Sequence, residues 1–332
     1  MNVLFIFEFG VPFYRHFVVD GVAEIADEIK IVSGSDRFEG LGHKQETRLA
    51  KIFSWGENIL YWLSPRTVYK ADVIFTTLNL RRPHTWFYIF FYPKKRWILW
   101  GQGQWKNQNI ALRWIRKEIF KRSTGFIAYT DAGMVNLIRE GFPAERIMVA
   151  NNTLMVRNAK ATFGNEYFLY VGRLQARKEI ELAIESIKGT GHRLRIVGDG
   201  KYKTRLLSVA QNLGVRDQID FYPGSFEDDV LMKHFAGAIA YVSPGHVGLG
   251  VVHAFAYGVP VITLHSRDHA PEFDYCLEEN SYLCSNENQF FCVIADFDCH
   301  SPQHLSKRKA AFEFYIKRLS PENMLTCFFK YL

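Results

Sequence analysis

The run AYVSPGHVGLGVVHAFAYGVPVITL, residues 240 to 264, holds the clearest architectural signal in the chain. Apolar residues from Ile239 to Val242 lead into Ser243-Pro244-Gly245, and glycines follow at 248 and 250. Val251 to Tyr257 then repeats apolar residues at helical spacing until Gly258 stops it, and a second apolar run covers Val259 to Leu264. Strand, glycine-rich turn, helix and strand in that order make one βαβ unit of a doubly wound α/β sheet. Glycines at a helix entry let a ligand approach the backbone. The unpaired N–H groups and the positive end of the helix dipole then favour an anion, so a phosphate is expected at Gly248 to Gly250.

Working outward, the same alternation of strand and helix recurs on both sides. Towards the N-terminus, buried strands are expected at Val3 to Phe7, Ile29 to Val32, Asp72 to Thr76, Trp97 to Trp100, Phe126 to Tyr129 and Ile147 to Ala150. Helices are expected at Phe13 to Ile29, His84 to Tyr92, Ile110 to Lys121 and Asp131 to Arg139. Asn151 to Asn165 is polar and reads as a linker. Beyond it come strands at Tyr167 to Val171, Arg193 to Val197 and Ile219 to Tyr222, with helices at Lys178 to Ile187, Tyr202 to Leu213, Glu227 to Phe235 and His304 to Leu319. The pattern predicts an α/β protein of two Rossmann-like domains, residues 1 to 155 and 156 to 310, facing each other across a cleft. A helix within 311 to 332 closes the arrangement. In such sheets ligands lie beyond the carboxyl ends of strands, which makes the loop from Glu8 to Tyr14, with Gly10 in it and Arg15 and His16 behind it, a site wall. No GxGxxG occurs, so nicotinamide or flavin binding of the usual kind is not supported.

Composition narrows the class. A chain of 332 residues, 48% hydrophobic, can bury two cores. The five cysteines, Cys276, Cys284, Cys292, Cys299 and Cys327, form no CxxC pair and no zinc spacing, which suits free thiols in a reducing compartment. MNVLFIFEFG lacks a basic leader, and Trp86 to Tyr92 is the longest apolar patch, far short of the ~20 residues that span a bilayer. A soluble cytoplasmic protein is expected. Residues 1 to 150 carry 21 Lys and Arg against 14 acids, whereas 151 to 332 carry 20 of each, so all of the +7 excess lies in the first half. Between Lys94 and Arg122 nine cations face one acid, Glu118, with Trp97, Trp100, Trp105 and Trp114 interleaved. Either an anionic membrane surface meets residues 94 to 122, or the tryptophans are core and the cations a solvated face. Nucleic acid is not expected as a partner, because no recognised motif is present and the phosphate-binding features lie in the neutral half.

The second half resembles the family 4 glycosyltransferases of the GT-B fold. The resemblance is carried by YVGRLQARKEIELAIESI (170 to 187), RIVGDGKYKTRL (195 to 206), GVRDQIDFYPGSF (214 to 226) and SPGHVGLGVVHAFAYGVPVIT (243 to 263). In the first half it is carried by WGQG (100 to 103), YTD (129 to 131) and VANNTL (149 to 154). The PGxVGL reading and the histidine before Ala254 are similar to the bacterial branch that builds surface polysaccharides, lipopolysaccharide among them. The resemblance implies a retaining, metal-independent hexosyltransferase that uses a UDP- or GDP-sugar as co-substrate, with no other cofactor. A saccharide, lipid-linked at the inner face of the cell membrane, is the implied acceptor. Arg173 and Lys178 would grip the diphosphate, and Gly248, Leu249 and Gly250 would add backbone donors. Gly10, Gly198, Gly245, His253 and Glu272 fall on the donor side, with Asp268 and His269 in the loop before Glu272. Tyr14, Arg15 and Gln102 fall on the acceptor side. The chain departs from the family where two glutamates eight residues apart are usual, since those positions are Gly245 and His253, and Gln102 replaces a frequent histidine. A nucleotide-sugar binding protein without turnover is the alternative that these replacements raise.

Overall fold

The structure, a computed structural model, describes residues 1–34, 43–105 and 109–332. Two compact units are present, Met1–Met155 with Pro321–Leu332, and Val156–Ser320. The first begins with β1 (Asn2–Phe7), α1 (His16–Ala23), β2 (Glu28–Gly34), β3 (Glu46–Leu49), the hairpin β4 (Lys51–Trp55) and β5 (Asn58–Tyr61), and α2 (Pro65–Lys70). It continues with β6 (Val73–Thr77), β7 (Arg96–Gly101), α3 (Ile110–Arg122), β8 (Gly125–Ala128), α4 (Asp131–Arg139) and β9 (Ile147–Val149). Seven strands form one sheet in the order β3-β2-β1-β6-β7-β8-β9, every pair parallel, while β4 and β5 pair with each other antiparallel. Parallel strands covered on both faces read as unbroken apolar runs, and VLFIF in β1 and WILW in β7 are buried throughout.

The second unit holds β10 (Tyr167–Val171), α5 (Ile180–Ser186), β11 (Leu194–Val197), α6 (Lys203–Asn212), β12 (Ile219–Tyr222), α7 (Asp228–Ala236) and β13 (Ala238–Val242). It goes on with α8 (Gly250–Ala256), β14 (Val261–Leu264), β15 (Ser281–Cys284), α9 (Glu287–Ala295) and α10 (Pro302–Phe314). Its six parallel strands run β12-β11-β10-β13-β14-β15. Strand order reverses between β10 and β13, and the loops after those two strands carry Arg173, Lys178 and the glycine-rich turn. Such a switch point is where an open α/β sheet leaves a crevice for ligand.

Several expectations need correction. His84 to Tyr92 is not a helix but two 3-10 turns, Pro83–Thr85 and Phe87–Ile89. The Tyr88 hydroxyl donates to Leu63 O (2.6 Å) and the Trp97 indole to Tyr92 O (3.0 Å), tying the bulky side chains and backbone of the segment to neighbours instead of to a helical ladder. The helix expected from Lys178 starts at Ile180, because Glu179 adopts φ +49°, a left-handed conformation that a helix cannot continue through. The boundary expected at 310/311 falls inside α10. A π-helical turn, Tyr315–Leu319, extends it, and the chain crosses to the first unit only at Ser320–Pro321, where α11 (Pro321–Phe329) begins. Strand β15 and α9 were not foreseen from sequence.

In the basic tryptophan-bearing segment the structure separates core side chains from surface ones. Trp97 and Trp100 lie in the core, Arg116 is buried against Glu140, and Glu118 pairs with both Lys121 and Arg122. Only Ile110 and Trp114 stand out of α3 as large exposed apolar side chains. Lys106, one of the nine cations, lies outside the described residues.

Candidate functional site

The turn after β10 is braced from beneath. Tyr170 and Tyr241, on neighbouring strands, stack with centroids 6.4 Å apart. The Tyr170 hydroxyl donates to Arg173 O (3.0 Å), and the Tyr241 hydroxyl to Val171 O (3.0 Å). Burial pushes both phenols above their usual range, so both stay protonated donors. The Arg173 side chain itself is exposed. The next turn, Ala176–Lys178, then lies directly along the glycine-rich loop. Gly245 N–H donates to Lys178 O (3.2 Å) and His246 N–H to Arg177 O (2.9 Å).

That pairing explains Gly245. A Cβ there would lie 2.4 Å from Arg177 O and 2.6 Å from the Lys178 carbonyl carbon, a distance no side chain tolerates. A glutamate at this position is therefore incompatible with the observed backbone. At Gly250 a Cβ would lie 2.2 Å from the Tyr241 hydroxyl, so this glycine, too, admits a neighbouring side chain.

Lys178 reaches over the loop that its own turn supports. Its Nζ donates to His246 O (2.5 Å), and a Cβ on Gly248 would stand 3.8 Å from that nitrogen. Burial lowers the ammonium from 10.5 to about 8; Arg177 and Arg173 push the same way, and Glu272 opposes them. Two guanidinium groups and one carboxylate thus act on one ammonium. Glu272 is only 5% exposed and lies on the 3-10 turn Pro271–Tyr275. Beside the ammonium, the N–H groups of Gly248 and Leu249 have no acceptor among the described residues, and α8 starts at Gly250. A half-buried ammonium, two open N–H groups and a helix start thus lie together at this point.

His269 and His246 hold the far side of this loop. His269 Nδ1 accepts from Val247 N–H (3.1 Å) and Nε2 donates to Leu264 O (2.7 Å), which makes it a neutral imidazole with both nitrogens engaged. Burial lowers its pKa, in keeping with that assignment. His269 is hence a brace for the loop, with both ring nitrogens engaged within the protein. His246 Nδ1 donates to Asp268 O (2.7 Å).

Other expected site residues fare differently. Gly198 donates its N–H to Tyr222 O (3.1 Å) and so has none to offer a phosphate. His253, one turn into α8, stacks on Phe235, and burial lowers its pKa to about 4, leaving a neutral ring at pH 7 that can both donate and accept. In the first unit, Gly10 sits buried in the bend after β1, while Gln102 is exposed after β7. Arg15 does not present itself to an acceptor. It is 3% exposed, with its guanidinium within 5.5 Å of the Tyr14, Trp100 and Tyr129 ring centroids, and it donates to Asn152 Oδ1 and to Thr153 O. Aromatic faces and carbonyls satisfy the charge where water cannot, which makes Arg15 a core clamp.

Residues 156–295 match the family model described as glycosyl transferases group 1. The match falls within the second unit, which is therefore similar to the group 1 glycosyl transferases. Related sequences include the D-rhamnosyltransferase WbpZ of Pseudomonas aeruginosa, 24% identical over 149 residues that cover 43% of this chain and 35% of that protein. A second is an exopolysaccharide phosphotransferase of Streptomyces coelicolor, 28% identical over 155 residues that cover 44% of this chain and 14% of that protein. The matched part therefore spans well under two thirds of either relative. Among solved structures, HepE of Anabaena in complex with UDP superposes with a TM-score of 0.73 at 14% identity, covering 99% of both chains. The lipopolysaccharide outer core galactosyltransferase WaaB gives 0.66 at 14% identity over the full length of both. These likenesses establish the GT-B fold for the whole chain. In the second unit the switch-point loops bring Lys178 and the glycine turn together, with Glu272 acting on the same ammonium.

Proposed function

We propose that the protein is a retaining glycosyltransferase that moves a hexosyl group from a UDP- or GDP-sugar to a saccharide, lipid-linked at the inner face of the cell membrane, during bacterial surface polysaccharide synthesis. The observation that carries the reading is the Lys178 ammonium held above the open N–H groups of Gly248 and Leu249. Breaking the anomeric C–O bond leaves negative charge on the diphosphate. Preformed donors that meet this charge as it grows lower the barrier more than they strengthen ground-state binding. Arg173 supplies a second, exposed cation from the same strand end. Together these groups do the work of a metal ion. The acceptor hydroxyl attacks from the face that the diphosphate leaves, so configuration is retained, and a donor phosphate oxygen takes its proton. Glu272 stands by Lys178, where it can orient the ammonium or meet the sugar.

The UDP complex of HepE and the rhamnosyl and galactosyl transferases among the relatives support a nucleotide-sugar donor for this chain. Lys178→Ala is expected to cut transfer from the preferred donor by about a hundredfold or more while the fold persists, as when one charge-stabilising donor is removed from other active sites. The measurement is product formation across a panel of UDP- and GDP-sugars, alongside a thermal melt. Full transfer by a folded Lys178→Ala variant would refute the assignment. A second reading, a nucleotide-sugar binding protein without turnover, draws on Gly245, whose backbone contacts leave no room for an acidic side chain. UDP or GDP binding with no product from any donor favours that reading.

A further inference from the structure

Beside β15, the strand at one edge of the second sheet, lies a cavity of about 440 Å³, within the roughly 300 to 1,000 Å³ typical of small-molecule sites. One wall is the strand itself. His265 N–H donates to Cys284 O (2.9 Å), so Cys284 and Tyr282 turn their backbone groups towards β14, while Ser281 and Leu283 turn theirs to the free edge. That edge is closed on both sides of Leu283. Lys307 Nζ donates to Ser281 O (2.9 Å), and Ser285 N–H donates to Gln289 Oε1 (2.7 Å). Between them, the N–H and C=O of Leu283 take no hydrogen bond among the described residues, and Leu283 lines the cavity. A gap one residue long does not admit an added strand, but it offers one donor and one acceptor to a small ligand.

The chemistry of the walls narrows that ligand. Lys307, on α10, is 7% exposed and donates two ammonium protons to carbonyl oxygens, those of Ser281 and Glu278, which leaves a third. Glu278, Asp296 and Asp298 add carboxylates from exposed positions. Tyr282 and Phe297 supply aromatic surface, with their rings 5.5 Å apart and Lys307 Nζ 5.0 Å from the Tyr282 ring. Charges of both signs stand in one cavity, so an ionic ligand of either sign meets a like charge. Donors and acceptors set side by side fit hydroxyl groups, which both give and accept a hydrogen bond, and aromatic walls suit the C–H faces of a pyranose ring.

We propose that this cavity binds a small neutral saccharide, held by the open backbone pair of Leu283, the Lys307 ammonium and the carboxylates of Glu278 and Asp296. All four residues lie in the second unit and none belongs to the group around Lys178, so the inference does not depend on glycosyl transfer. The test is saturation-transfer NMR on the full chain with methyl α-glucopyranoside and maltose, against glucosamine and glucose 6-phosphate as charged counterparts, each with and without UDP. The neutral probes are expected to receive signal whether or not UDP is present, and the charged ones to bind about threefold or more weakly. Glu278→Ala with Asp296→Ala is expected to weaken the neutral probes about tenfold, because hydrogen bonds to charged acceptors are lost. Both side chains are exposed, and a thermal melt checks that the variant folds. No signal from either neutral probe, or tighter binding of glucosamine or of the phosphate, overturns the proposal. So does neutral-probe binding that this variant keeps and Lys178→Ala loses, which would move the saccharide to the group around Lys178.

Discussion

At the scale of single residues, Lys178 combines two demands that conflict. In the proposed role it is buried enough to meet charge in a water-poor site, and burial lowers its pKa to about 8, close to the pH at which that role needs it charged. A diphosphate bound against it favours the ammonium and raises that value, so binding above pH 8 takes up a proton. Affinity for UDP is therefore expected to fall as pH rises from 7.5 to 9, approaching about tenfold per unit, while the phosphate charge is already constant. Folding responds with the opposite sign. The unfolded chain holds the proton up to 10.5, so the free protein gains stability from this group as pH rises between about 8 and 10.5. Calorimetric titration of UDP at the two pH values checks the first expectation, and Lys178→Arg, whose guanidinium stays charged, should abolish the dependence. An affinity that stays level in the wild type would mean that Lys178 does not touch the diphosphate. Gly245 teaches a related lesson. The missing glutamate is visible in the sequence, but its reason is a carbonyl 2.4 Å away on another loop, which no local pattern reveals.

At the scale of elements, the turn that presents Lys178 is held by an ion-pair relay. Glu179 is the one non-glycine residue with positive φ among the described residues, and its carboxylate accepts from Arg267 Nε (2.8 Å), which also reaches Glu287 (2.5 Å). Left-handed backbone costs about 1 kcal/mol or more at such a residue, and a half-exposed pair returns up to about 1 kcal/mol. Glu179→Ala keeps the strain and loses the pair, so it should be destabilising by roughly 1 kcal/mol. Glu179→Gly loses the pair and the strain together and should lie about 1 kcal/mol above the alanine variant. Denaturant unfolding of both separates the terms, and equal stability of the two would show that the left-handed turn costs nothing. This turn also marks how far elements could be read from sequence. Tyr167–Val171 and Ile219–Tyr222 emerge with the expected ends, because buried parallel strands are plain apolar runs. The helix after Lys178 was misjudged because the break at Glu179 rests on Arg267, 88 residues away. Helix α9 did carry a local sign, since Asn286 caps it by accepting from Gln289 N–H (2.9 Å), but β15 before it is four residues long with a polar start. Of the proposed anion seat, the glycine turn and Lys178 stand in the sequence, whereas Tyr170, Tyr241 and His269 act through contacts between strands and loops that have no signature along the chain.

At the scale of the whole molecule, the chain leaves its first unit at Met155 and returns to it at Pro321. The returning helix α11 is part of the first core. Phe328 is fully buried, with its ring 5.0 Å from Trp100 and 5.1 Å from Phe75, and Leu325 fills the space that a side chain on Gly21 would need. The last dozen residues, read from sequence as a closing helix, are thus structural members of a sheet layer laid down some two hundred residues earlier. Phe328→Ala removes a large buried ring from a packed aromatic cluster, and the expected loss is about 3 to 5 kcal/mol, felt by the first unit. The residues of the proposed anion seat lie wholly in the second unit, so UDP should still stabilise that unit in the variant, by RT ln(1 + [L]/Kd), about 2.7 kcal/mol at a hundredfold excess over Kd. Melting the variant with and without UDP is expected to split one transition into two, the lower one indifferent to nucleotide and the upper one raised by it. Retention of a single nucleotide-sensitive transition at the wild-type midpoint would show that α11 contributes nothing to the first core, and loss of the UDP response would show that the seat needs the first unit intact.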